Sequence, residues 1–172
     1  MVQRLVALVA RAPASAHELG GSWYSEAGRA CARMARAYGC SKATACGVVA
    51  ALSPRLQWAP NVRAADAVLA GATPTGVFRA SLAKAKRIAA GEAPLRVLSG
   101  PKVRAFYRAL MGDESAAVVD VWVLRAVGWA RTVTAKAYAR IARALTLAAA
   151  RVGMTVARLQ AVAWVAVRGR AG

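Results

Sequence analysis

Glycine and proline punctuate this chain at short intervals, and what lies between them is made of helix formers. Gly39, Gly71, Gly91 and Gly112 each close a run rich in Ala, Leu, Arg or Met, the residues that cost least in a helix. Few stretches alternate with period two, so little reads as strand. Breakers this close together limit every helix to a few turns, and the expectation is an all-α domain of roughly eight to ten short helices. At 172 residues the chain is long enough for one domain over 1–172 with a real core, or for two small lobes sharing one.

The segments follow from the punctuation. Residues 2–11 read as a short helix and 13–21 as a loop. Residues 25–38 form an amphipathic helix with Ala27, Ala30, Cys31, Met34 and Tyr38 along one stripe. Ser41 is a good N-cap for a helix over 42–52, which Pro54 stops. Helices are expected over 60–69, 80–90 and 103–111, with a turn at 73–76 and a tight turn at 97–102. A further helix follows Asp120, and two more span 134–152 and 155–167.

Charge restricts the partners. Twenty-five Lys and Arg face seven acids, a formal net charge of +18. No acid follows position 120, whereas nine basic residues do. Such a field attracts a polyanion. Nucleic acid leads, and an anionic membrane surface comes second. The longest uncharged runs, 43–54 and 67–78, have 12 residues each, too few to span a bilayer. Residues 5–10 are too short a run for a signal peptide. Cys31, Cys40 and Cys46 form no C-x-x-C pair, and His17 is the only histidine. No metal site and no cofactor is expected. The cysteines read as reduced and structural, in a cytoplasmic protein.

One acid stands in apolar company. Asp120 lies within Ala116-Ala117-Val118-Val119-Asp120-Val121-Trp122-Val123-Leu124. A buried unpaired carboxylate is costly, so this one is either a helix N-cap or a functional group, and a capping Asp can be both. Eighteen residues earlier comes Lys102, in Leu98-Ser99-Gly100-Pro101-Lys102. Helix, Gly-Pro-Lys turn and helix make a helix-hairpin-helix shape. Its glycine admits close approach, and the start of its second helix suits phosphate oxygens. Lys102, Arg104 and Arg108 add charge at that end.

These residues resemble the helix-hairpin-helix DNA glycosylases typified by endonuclease III. That family carries L-P-G-V-G-x-K, an apolar helix and V-D-T-H-V-x-R. Here the counterparts are residues 98–102 and Val119-Asp120-Val121-Trp122-Val123-Leu124-Arg125, with the Lys-to-Asp and Asp-to-Arg intervals both kept. Upstream, Leu52-Ser53-Pro54-Arg55 is similar to the family's L-S-A-Q segment, and Ser81-Leu82-Ala83-Lys84-Ala85 to its element before the hairpin. The likeness covers residues 50–128. The chain is also similar to small phage proteins of actinobacteria, with a Leu-Ser-Pro…Trp…Asn segment and a Lys-x-x-x-Phe-Tyr helix, which implies a phage or prophage source in a bacterial host. There are departures. The hairpin is two residues shorter and lacks the first glycine, the D-x-H is Asp120-Val121-Trp122, and no four-cysteine cluster follows, so no iron–sulfur centre is expected.

The resemblance implies a monomeric enzyme that binds duplex DNA and flips one nucleotide out of the stack. Asp120 would stabilise the oxocarbenium-like sugar as the base leaves. Lys102 would be the amine nucleophile of a glycosylase-lyase, or else a phosphate contact. The inserting residue would be Arg55, or Gln57. The loop Ser53-Pro54-Arg55-Leu56-Gln57-Trp58-Ala59-Pro60-Asn61 offers Trp58 as a wall for a flipped base and Asn61 as a reader of its edge, or else a core tryptophan and a cap. Trp122 would line the pocket, while Gly100, Pro101, Lys102, Arg104, Arg108 and Arg125 would touch DNA. Two other functions stay open: a phage enzyme that hypermodifies DNA bases on this fold, and a DNA-binding protein without catalysis.

Overall fold

The computed structural model describes residues 1–169, and among them there are ten helices and no strand. They are α1 (Val2–Ala10), α2 (Ala14–Ala37), α3 (Lys42–Leu52), α4 (Trp58–Leu69), α5 (Arg79–Ala89), α6 (Pro94–Val97), α7 (Pro101–Met111), α8 (Val121–Val127), α9 (Ala135–Val152) and α10 (Val156–Arg168). The chain divides into two compact units. A terminal unit takes residues 1–26 and 112 onward, and a central unit takes 27–111. The division falls inside α2.

Most starts and stops obey local chemistry. Ser41, Asp120, Thr134 and Thr155 are side-chain N-caps of α3, α8, α9 and α10, each giving an oxygen to an otherwise unbonded amide. The largest departure is 13–21, expected as a loop and found as the first turns of α2. Gly20 and Gly21 read as breakers in sequence. In the fold, Gly20 is where α2 meets α10: a Cβ there would lie 2.6 Å from the Val162 backbone nitrogen. The glycine serves close helix approach, and the packing outweighs its poor helix propensity.

In the terminal unit α10 packs against α1, α8 and α9. Leu5, Val9, Val123, Ile141, Leu145, Leu159 and Val162 form its core. Between Met111 and α8 the chain makes a turn over 112–115 and then runs without regular structure, with Ala116, Val118 and Val119 buried. With no neighbouring strand, that segment needs other partners for its amides and carbonyls. Buried Gln160 supplies two, accepting from Val118 N at 2.7 Å and donating to Ala116 O at 3.1 Å. The Tyr138 hydroxyl supplies two more, donating to Ala117 O at 2.7 Å and accepting from Val119 N at 3.2 Å. Four consecutive residues are thereby bonded by two side chains. At the end of α8, Arg4 Nε donates to Ala126 O at 3.0 Å.

In the central unit α3 is the hub, packed by α4, α5, α6 and α7. It is apolar on every face, and residues 45–52 are all buried, as expected of a helix enclosed by others. Gly47 lets α6 approach, since a Cβ there would lie 2.8 Å from Pro94 Cγ. The buried C-terminus of α3 needs partners for its last carbonyls. Asn61 Nδ2 donates to Val49 O at 3.1 Å and Ser53 Oγ to Ala50 O at 2.9 Å. Cys31 and Cys46 are both buried and lie against each other. Their proximity raises the Cys31 pKa and lowers that of Cys46, helped at Cys46 by the Lys42 charge.

Replacing Gly20 by Ala drives a methyl into the α10 backbone, which cannot give as a side chain can. Chemical denaturation should show a loss of about 1–3 kcal/mol, the usual cost of overpacking. Gly21→Ala, whose Cβ would make an ordinary contact with the Arg158 guanidinium at 3.6 Å, should instead stabilise by about 0.5–1 kcal/mol through helix propensity.

Candidate nucleic-acid interface

The direction of the central-unit helices decides what meets what. Tyr107 faces Cys46, whose proximity joins burial in raising the tyrosine pKa. A Cβ on Gly28 would lie 2.8 Å from Leu110 O and 3.8 Å from Lys42 Nζ. Later residues of α7 therefore meet earlier residues of α3, and the two run antiparallel. The same holds for α5: Ile88 lies against Gly47, while the Arg55 guanidinium, beyond the end of α3, sits 5.5 Å from the Phe78 ring centroid at the start of α5. The N-termini of α4, α5 and α7 accordingly gather at one end of this unit, around the loop 53–57.

None of these three N-termini is closed by its N-cap side chain. Gln57 and Phe78 make no cap hydrogen bond at α4 and α5, and α7 follows Gly100, which has no side chain to offer. Gly100 adopts φ +81°, a left-handed conformation that suits glycine, and Pro101 then opens α7 at the position where its missing N–H costs nothing. Residues 27–111 carry fourteen Lys and Arg against two acids, Asp66 and Glu92. Glu92 holds Arg87 through two bonds of 2.7 and 2.6 Å. Asp66 lies against the Tyr38 hydroxyl and raises its pKa, after burial the main cause. Two carboxylates cannot offset fourteen cations, so the unit is strongly electropositive.

The hairpin differs from its expected form. Its first helix, α6, is a single turn, and α7 begins at Pro101, two residues before the expected start. Arg104, expected on phosphate, is exposed and ties the hairpin together through one nitrogen: its Nη1 donates to Leu95 O at 2.8 Å and to Leu98 O at 3.2 Å. Lys84 Nζ donates to Ser99 Oγ in the turn. Lys102 is half-buried and Arg108 exposed. Of the loop residues, Arg55 and Gln57 are exposed and Trp58 is half-buried at the first position of α4. Asn61 is not available to a base edge, because it is 2% exposed and bonded to α3. Its Oδ1 is buried without a partner. Arg55 has φ +64°, the one positive value at a non-glycine among the described residues, and such a residue stores strain.

Asp120, Trp122 and Arg125 belong to the terminal unit. Asp120 is half-buried, and its Oδ1 accepts from Trp122 N at 3.0 Å and Val123 N at 2.9 Å, with the positive end of the α8 dipole favouring its charge. Its charge adds to burial in raising the pKa of Tyr24 and of Tyr138, so both phenols stay protonated beside it. Trp122 stacks against two guanidiniums, Arg125 at 4.5 Å and Arg168 at 5.6 Å. Sequence reasoning missed Gln160, Tyr24 and Tyr138 around Asp120, and Phe78 beside Arg55. Gln160 carried a usable signal, a lone polar residue within the apolar Leu159-Gln160-Ala161-Val162-Ala163. Phe78 carried none, because its partner is set by tertiary packing. Among the described residues no cluster of His, Cys, Asp and Glu could hold a metal ion, and no helix is long and apolar enough to cross a membrane.

The chain belongs to a family of unknown function, DUF7178, which matches residues 1–171. No curated protein and no solved structure matches it.

The dual character of Asp120 can be separated. Asp120→Ala removes the α8 cap and should cost about 1 kcal/mol in thermal or denaturant unfolding. Asp120→Asn keeps a capping oxygen and should stay within about 0.5 kcal/mol of wild type. Gln160→Leu is the severe change, since it leaves Ala116 O and Val118 N buried and unbonded, at a cost of roughly 2–4 kcal/mol.

Proposed function

We propose that this DUF7178 protein binds duplex DNA through the electropositive end of its central unit. The observation that carries the reading is the gathering of three helix N-termini, none closed by a cap side chain, in a half-chain with fourteen cations and two acids. Backbone amides at helix starts donate to phosphate oxygens, and the helix dipoles add to the side-chain charge. Arg55, Arg79 and Lys84 lie at or beside this end, with Lys102 in the first turn of α7.

The finer reading is base excision, and the resemblance to helix-hairpin-helix glycosylases supports it. In that chemistry the C1′–N bond breaks, the base departs, and an ionised carboxylate stabilises the positive charge left on the sugar. Asp120 is the residue for that role. Its charge is favoured by two backbone donors and the α8 dipole, and its lone position in an apolar segment calls for a reason. Water then attacks C1′ and leaves an abasic sugar. A second reading has its own support. Asp120 Oδ1 is fully engaged as an N-cap and Trp122 is stacked by two arginines, which suits a DNA-binding protein without catalysis.

Fluorescence anisotropy with a labelled duplex tests the binding. With four to six phosphates neutralised, affinity should fall by about 10²–10³ between 50 and 200 mM salt, and salt-independent or absent binding refutes the proposal. Incubation with duplexes carrying uracil, oxidised and alkylated bases, with borohydride present, tests the chemistry. Asp120→Asn should reduce base release by about 10²-fold or more while leaving duplex affinity within about twofold. An adduct lost in Lys102→Ala identifies a lyase. Binding without base release on any substrate selects the non-catalytic reading.

A further inference from the structure

Phe78 is an exposed aromatic at the start of a basic helix, α5, which carries Arg79, Lys84, Lys86 and Arg87. It stands 47% exposed at the N-cap of α5, makes no cap bond, and is followed by Arg79. The Arg55 guanidinium lies 5.5 Å from its ring centroid, presented by the residue held at φ +64°. Glycine would occupy that backbone position without strain, so the arginine side chain is what the strain maintains. Neither group is needed to close the core: Arg55 is exposed, and the buried end of α3 is already satisfied by Asn61 and Ser53.

We propose that Arg55 and Phe78 form a stacking platform for one unpaired nucleobase in an otherwise paired strand, an inference that rests on the DNA-binding reading above. A base offers a flat π-face to a phenyl ring and a guanidinium plane, whatever its identity, and the phosphates on either side of it carry the negative charge that this end of the unit attracts. Charge excludes a second copy as the occupant, since two chains of +18 repel. An apolar peptide would use Phe78 but gain nothing from the surrounding cations. The platform recognises exposure of a base and not its sequence, because stacking makes no use of the hydrogen-bonding edge.

The test compares two labelled duplexes of the same sequence, one fully paired and one with a single bulged base, at about 50 mM salt. Wild type should bind the bulged duplex roughly tenfold more tightly, the size of one stacked base. Phe78→Ala should bring that preference to within about twofold of none while leaving the paired duplex unaffected, and Phe78→Trp should restore it. Arg55→Gly should also lower the preference, on top of a weaker hold on both duplexes from the lost charge, while raising the melting temperature, because the strain is relieved. Wild type binding both duplexes equally, or Phe78→Ala keeping the preference, overturns the platform and leaves DNA binding intact. Phe78→Ala weakening both duplexes alike also overturns it, in favour of a general contact. Wild type binding neither duplex removes the DNA reading and the platform with it.

Discussion

The structure depends on helices approaching closely enough to make a core from small side chains. Among the described residues alanine is the commonest buried apolar residue, with leucine and valine filling between. Small side chains bury little area each, so stability requires many contacts at short interaxial distance. The glycines within helices mark where that distance is shortest. A Cβ would come within 3.0 Å of another backbone at Gly20 and Gly28, and of the Pro94 ring at Gly47. At these positions the absence of a side chain is the packing interaction.

A thin alanine core with two acids in 27–111 has an electrostatic consequence. Fourteen Lys and Arg against two acids leave the residues around α3 with a large excess of positive charge. The antiparallel arrangement of α5 and α7 against α3 then puts the positive ends of their dipoles together with that of α4. Helix direction and side-chain charge act in the same sense, which is the arrangement that favours a polyanion.

Asp120 illustrates how a single residue is held by the fold around it. An isolated segment without regular structure inside a helical protein is expensive unless its backbone is bonded. Gln160 and Tyr138 replace the missing strand, and they deliver the chain to Asp120 in the extended conformation that an N-cap needs. The carboxylate then bonds the first amides of α8. Its position is over-determined from both sides, which is a property of a structural cap and also of a preorganised catalytic group.

Much of this was legible in the chain itself. The helices over 42–52 and after Asp120, Thr134 and Thr155 follow from caps and breakers a few residues away, and so does the all-α class. The excess of cations is likewise a property of composition. What the sequence could not decide depended on distant partners. Gly20 and Gly21 break helices locally but sit inside α2, and at Gly20 close contact with α10 rewards the missing Cβ. Asn61 has the chemistry of a DNA ligand but is buried and bonded to a carbonyl of α3, while Arg104 stays exposed and also bonds the carbonyls of α6 and its C-cap residue. Phe78 joins Arg55 only through the antiparallel run of α5 along α3. Local free energies of capping and propensity are set by neighbours in sequence, and they determined the helices. Which polar side chains remain for a ligand is set by which buried carbonyls need donors, and only the tertiary structure decides that.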